Sequence, residues 1–116
     1  MDERIEKWLY DIRLAIEEIQ TFFEDKPKVF SEYQKNILVK RATERNLEII
    51  GEAMNRILQK DKSYLDKISE ARNIVGLRNQ VFHSYDNISD ENIWSVVINH
   101  LPKLKEDVDK LLSALK

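Results

Sequence analysis

The stretch SDENIWSVVINHLPKLKEDVDKLLSALK, residues 89–116, decides the fold class. Its apolar residues Ile93, Val97, Leu101, Leu104, Val108, Leu111 and Leu115 recur every three or four positions, the spacing of one face of an α-helix. Ser89 is placed to cap the first turn, and Asp90 and Glu91 follow where the helix dipole favours anions. Pro102 has no backbone N–H and is expected to kink this helix, at a cost of about 3 kcal/mol if uncompensated.

The same period runs back through the chain. Ile5, Trp8, Leu9, Ile12, Ile16, Ile19 and Phe23 mark a first helix, which Pro27 ends by pushing Lys26 out of helical geometry. Ser31 is the expected N-cap of a long second helix carrying Leu38, Leu47, Ile50, Met54, Ile57 and Leu58. Its other side, Arg41, Glu44, Arg45, Glu48 and Glu52, reads as a ladder of solvated ion pairs worth about 0.2 to 0.5 kcal/mol each. Tyr64 and Leu65 are expected to tuck the following connection onto the core. Ser69 is expected to cap a third helix with Ile74, Leu77 and Val81 on its apolar face, widened by Val75 and Phe82 and fraying at Ser84–Asn87. Gly51 and Gly76 each suggest close packing, because glycine costs about 1 kcal/mol relative to alanine inside a helix. Four helices with short polar connections predict an all-α, antiparallel up-and-down four-helix bundle, one domain over residues 1–116.

Composition narrows the function classes. Hydrophobic content of 42%, charged content of 34% and only two Gly and two Pro fit exposed helix faces around one core. A formal charge of -2 excludes a strongly basic nucleic-acid binder, so any RNA contact has to be local. The chain has no Cys and two His, His83 and His100, without paired ligand spacing; no metal site or cofactor is expected. The N-terminus lacks the apolar core of a secretory signal, and no run is long enough to cross a bilayer, so the expected location is the cytoplasm.

The densest run of reactive groups is Arg78-Asn79-Gln80-Val81-Phe82-His83-Ser84-Tyr85. On a helix His83 stacks one turn beyond Asn79, while Arg78 and Tyr85 share an adjacent stripe. Arg78 and His83 diverge by about 140° on an ideal helix, and only the long Arg stem or fraying lets both heads reach one phosphate. Metal-free RNA cleavage needs a base for the 2′-hydroxyl, an acid for the leaving 5′-oxygen and positive charge on the phosphorane. A His with an ordinary pKa of about 6.5 serves as base or acid, and Arg supplies fixed charge with forked donors. One His per chain is one acid–base group too few, and a symmetric dimer would supply the second. The spacing alone leaves catalysis and a structural role about even.

This run resembles the Arg-x4-His-x-Tyr motif of the HEPN superfamily, specifically the HepT-like toxins of prokaryotic toxin–antitoxin pairs. Arg45-Asn46-Leu47-Glu48-Ile49-Ile50-Gly51-Glu52-Ala53 resembles that family's second-helix signature, and Ile93-Trp94 with Leu101-Pro102-Lys103-Leu104 resembles its fourth-helix pattern. The resemblance implies a homodimer with metal-independent endoribonuclease activity at the dimer cleft. It makes Arg78 and His83 the catalytic pair and Asn79 their polar helper. It also implies a partner, an MntA-like minimal nucleotidyltransferase, that neutralises the toxin by transferring AMP from ATP to Tyr85. Ala71-Arg72 departs from the Pro-Trp pair that relatives often carry there, and Arg72 adds positive charge before the motif. A different class of function, a non-catalytic helical module that dimerises and binds a nucleotidyltransferase, is the alternative. His100 is assigned no role, and Trp94 is read as packing.

Overall fold

Asp2 starts the first helix: its Oδ1 accepts from the backbone N–H groups of Arg4 at 2.7 Å and Ile5 at 3.3 Å. Two of the donors that a helix start leaves unpaired are thereby satisfied. Helix α1 (Glu3–Thr21) buries Ile5, Leu9, Ile12, Ile16 and Ile19, the stripe that its period announces. Phe23 lies past the helix end, half-buried in the following turn. The computed structural model describes residues 1–24, 28–83 and 89–114, residues 78–83 by their backbone. The expected Pro27 stop and the fraying at Ser84–Asn87 both fall on positions outside the described residues.

The long second helix departs from expectation at its start. A short helix α2 (Phe30–Lys35) comes first, with Ser31 inside it and Val29 at its N-cap position. Asn36 then leaves helical geometry, and its Oδ1 accepts from Val39 N–H at 3.1 Å to cap α3 (Ile37–Lys60). Ser31 is therefore not the cap. Leu38, expected in the core, is 82% exposed because this break resets which face points inward. From Leu47 onward the stripe holds: Leu47, Ile50, Met54 and Ile57 are buried, and Gly51 is buried beside them.

A one-turn helix α4 (Tyr64–Lys67) seats Tyr64 in the core, as expected of that connection. Helix α5 (Ala71–His83) buries Ile74 and Leu77. Helix α6 (Asp90–Ser95) opens on Ser89, whose Oγ accepts from Asn92 N–H at 3.2 Å, and it runs through a π-helical segment (Val96–His100) into α7 (Leu101–Ser113). Pro102 explains the wide turn. It has no N–H for the carbonyl four residues back, and its ring would crowd that carbonyl. The π segment, closed by Leu101 N–H to the Val96 carbonyl, spreads the adjustment over one turn instead of breaking the helix.

Long-range pairs fix the helix directions. Lys60 reaches Asp2 at 3.4 Å and Asn46 donates to Glu18 at 3.3 Å, so α3 runs antiparallel to α1. Arg13 lies 3.8 Å from Asp109 while Phe23 packs edge-on against Trp94 at 5.6 Å, so the α6–π–α7 run is also antiparallel to α1. The apolar faces of these helices and α5 meet in one core that includes Leu9, Ile16, Ile50, Ile57, Ile74 and Leu104. Each such side chain contributes about 1.5 to 3 kcal/mol by leaving water. The result is an all-helical compact domain. Among the described residues no helix is long and apolar enough to cross a membrane.

Candidate active site on helix α5

The polar stripe of α5 is set by what its opposite face buries. Ile74 and Leu77 point into the core, which turns Arg72, Asn73 and Gly76 to solvent. Positions 72, 76, 79 and 83 stand four, seven and eleven residues apart, within about 40° of one line along a helix. The backbone stays helical through His83, so positions 79 and 83 fall in register with positions 72 and 76 along the helix, and position 78 is offset to one side. This is the backbone arrangement that the motif reading requires. The side chains of Arg78, Asn79 and His83, and Tyr85 as a whole, lie outside the described residues.

The start of α5 is anchored to α7 from below. Ser69 does not cap the helix as expected; its backbone N–H and hydroxyl both donate to Asp107 Oδ2, at 3.1 and 3.0 Å. Lys103 approaches the other oxygen at 3.3 Å. Burial pushes the Asp107 carboxyl upward as the largest single influence, but the two bonds from Ser69 and the Lys103 charge together hold it below the usual carboxylate value. Asp107 is a residue that sequence reasoning passed over. The signal was its place between Leu104 and Val108 on an apolar face, where a carboxylate has to be paired.

Beside this anchor, Glu70 Oε2 stands 2.7 Å from His100 Nδ1 and accepts from the Asn73 side-chain amide at 3.1 Å. His100, assigned no role from the sequence, thus has its Nδ1 held by Glu70. Between α5 and the α6–π segment lies an open groove of about 440 Å³ whose walls include Arg72, Gly76, Asn92, Ser95 and His100. Among the described residues Gly76 does not mark tight packing: a Cβ there would meet none of them within 4 Å. Arg72 is exposed, and among the described residues no carboxylate pairs with it.

Trp94 sits in an aromatic cluster with Phe23, Phe30 and Tyr33, the Tyr33 ring at 5.2 Å, and is a packing residue. Burial, then Asp90 and Glu44, push the Tyr33 phenol well above its ordinary range. In the α3 ladder Arg45 pairs with Glu48 at 2.9 Å, whereas Arg41 is exposed and pairs with no carboxylate among the described residues.

Comparison with known proteins places these elements. The sequence profile described as "Ribonuclease HepT-like" matches residues 12–111. A Methanocaldococcus jannaschii protein provisionally named an RNase is 32% identical over 107 residues, covering 90% of this chain and 94% of its own length. A Caldanaerobacter subterraneus protein, also provisionally named an RNase, is 30% identical over 89 residues, 75% of this chain and 77% of its own. In structure, the chain is similar to a tri-AMPylated Shewanella oneidensis HEPN toxin solved in complex with its MNT antitoxin. That match has a TM-score of 0.71 at 20% identity and covers 97% of this chain and 99% of the other.

Proposed function

Because the chain belongs to the HepT-like ribonuclease family, we propose that it is a metal-independent endoribonuclease toxin. It acts as one domain over residues 1–116, as an antiparallel four-helix bundle that pairs into a homodimer in the cytoplasm. The observation that carries this reading is the match over residues 12–111, which spans the whole Arg78–Tyr85 motif and agrees with the unbroken helix up to His83.

In the proposed site, two copies of α5 face one cleft. A neutral His83 takes the proton of a ribose 2′-hydroxyl, and that oxygen attacks the adjacent phosphorus. The P–O5′ bond breaks, and a protonated His83 of the second copy returns a proton to the leaving 5′-oxygen. Arg78 offsets the charge that builds on the phosphorane oxygens, and Asn79 positions the phosphate. The products are a 2′,3′-cyclic phosphate and a 5′-hydroxyl. Control falls to a nucleotidyltransferase partner similar to the MNT antitoxin of the Shewanella complex. The Tyr85 phenol oxygen attacks the α-phosphorus of ATP, pyrophosphate leaves, and the attached AMP places negative charge where substrate phosphate has to enter.

The test is cleavage of a generic RNA in EDTA with end-group analysis. The expected result is cyclic phosphate ends, lost by more than 100-fold in a folded, dimeric His83→Ala variant. Undiminished cleavage by that variant overturns the assignment of His83. Absence of any cleavage by the unmodified protein favours a non-catalytic partner-binding module.

A further inference from the structure

We propose that the groove between α5 and the α6–π segment is a binding subsite for a single-stranded RNA substrate, leading the strand along α5 to Asn79 and His83. This rests on the ribonuclease reading and extends it to residues outside the motif. The groove's volume of about 440 Å³ lies within the roughly 300–1,000 Å³ typical of small-ligand sites, enough to receive a nucleotide unit. Its chemistry is that of nucleic acid rather than of an apolar ligand. Arg72 presents a guanidinium with no carboxylate partner among the described residues. Free forked donors of this kind suit a backbone phosphate. Asn92 and Ser95, on the facing helix, offer an amide and a hydroxyl for a base edge or a 2′-hydroxyl. His100 has Nδ1 engaged by Glu70, which leaves Nε2 as the ring nitrogen available to a ligand.

Gly76 gives the second, independent argument. Glycine inside an exposed helix costs about 1 kcal/mol relative to alanine, and among the described residues no neighbour within 4 Å requires the small residue for packing. Its position between Arg72 and Asn79, on the same line of the helix, fits a strand that lies against the backbone there. From Arg72 to His83 the helix rises about 16 Å, more than the length of one nucleotide unit. The strand is single because bases have to splay out to meet side chains, which a duplex prevents.

The experiment measures binding of a fluorescein-labelled eight-nucleotide single-stranded RNA to full-length protein in a His83→Ala background, so that cleavage does not intervene. Arg72→Ala is expected to weaken binding at least tenfold and to reduce the salt-dependence slope by about 0.7, the release of one phosphate contact on a single strand. Gly76→Leu is expected to weaken binding at least tenfold while its helical circular dichroism stays at the parent level, because leucine fills the groove but favours helix. Binding within twofold of the parent in both variants overturns the subsite, whether or not the unmodified protein cleaves RNA. If the unmodified protein cleaves nothing and binding still depends on both residues, the subsite stands and the ribonuclease reading falls. Undetectable RNA binding by the parent overturns the subsite as well.

Discussion

Ser69 gives both its backbone N–H and its hydroxyl to one oxygen of Asp107, a carboxylate only 8% exposed. Two donors on one buried charge tie the entry of α5, and hence the register of the whole motif helix, to α7. Hydrogen bonds to charged groups contribute about 1.5 to 3 kcal/mol. Asp107→Ala is therefore expected to destabilise by about 2 to 3 kcal/mol at neutral pH, read by urea denaturation. The sign of the pH dependence follows from a folded-state pKa below the unfolded one. The contribution is complete above the usual carboxylate value of 3.8 and fades as pH falls through the lower folded value. Asp107→Asn should lose stability at pH 7 and flatten the acid limb of the stability curve below about pH 4.

Asn36, not Ser31, caps the long helix α3. Asn36→Ala removes the acceptor for Val39 N–H and is expected to cost about 1 kcal/mol. Ser31 is exposed inside the short α2, so Ser31→Ala should change stability by less than about 0.5 kcal/mol. Thermal unfolding of the two variants side by side checks the assignment, and a larger loss from Ser31→Ala would reverse it.

These two residues also mark how far sequence reading reaches. The apolar stripes of Ile5–Ile19, Leu47–Ile57 and Ile93–Val108 were legible because a helix face that meets a core has to repeat at its own period. Leu38 falls outside the core because the expected cap, Ser31, carries one helix through a position where Asn36 in fact breaks it and caps α3. Gly76 was read as packing because glycine in a helix looks the same in sequence whether a neighbour or open space lies against it. The registry of Arg78, Asn79 and His83 on one helix was readable from spacing and agrees with the backbone. The Ser69–Asp107 and Glu70–His100 pairs were not readable, since they join residues 38 and 30 positions apart and no local pattern encodes them.

The aromatic cluster around Trp94 yields a prediction with two signs. Trp94 is half-buried against Phe23, Phe30 and Tyr33, and Trp94→Ala should cost on the order of 3 kcal/mol. Tyr33 is 2% exposed, and among the described residues its hydroxyl has no hydrogen-bond partner. An unpaired buried hydroxyl costs about 1 to 3 kcal/mol, so Tyr33→Phe keeps the ring contacts and should raise stability by about 1 kcal/mol. Equilibrium denaturation followed by circular dichroism measures both, and a loss of stability in Tyr33→Phe would mean the hydroxyl is bonded.

Gly76→Ala should stabilise by about 0.4 to 1 kcal/mol, because the helix is favoured and the unfolded chain loses freedom while the added methyl meets no neighbour among the described residues. Differential scanning calorimetry reads the shift. A lower melting temperature would show that the position is more crowded than the open groove implies.

The modification proposed at Tyr85 can be separated from every other tyrosine. The chain has four, and the three that are described are poorly placed to accept AMP: Tyr33 and Tyr64 are 2% and 4% exposed, and the half-buried Tyr10 ring lies under the Arg13 guanidinium at 4.8 Å. Tryptic cleavage after Arg78 and Lys103 releases residues 79–103, in which Tyr85 is the one tyrosine. After incubation with ATP and the nucleotidyltransferase partner, that peptide should gain the mass of AMP, and RNA cleavage should fall in proportion to the modified fraction. Tyr85→Phe should abolish the added mass while leaving the protein's folding intact, since it deletes one hydroxyl. Undiminished labelling of Tyr85→Phe would place the modification on another residue, and labelling without loss of cleavage would separate modification from control.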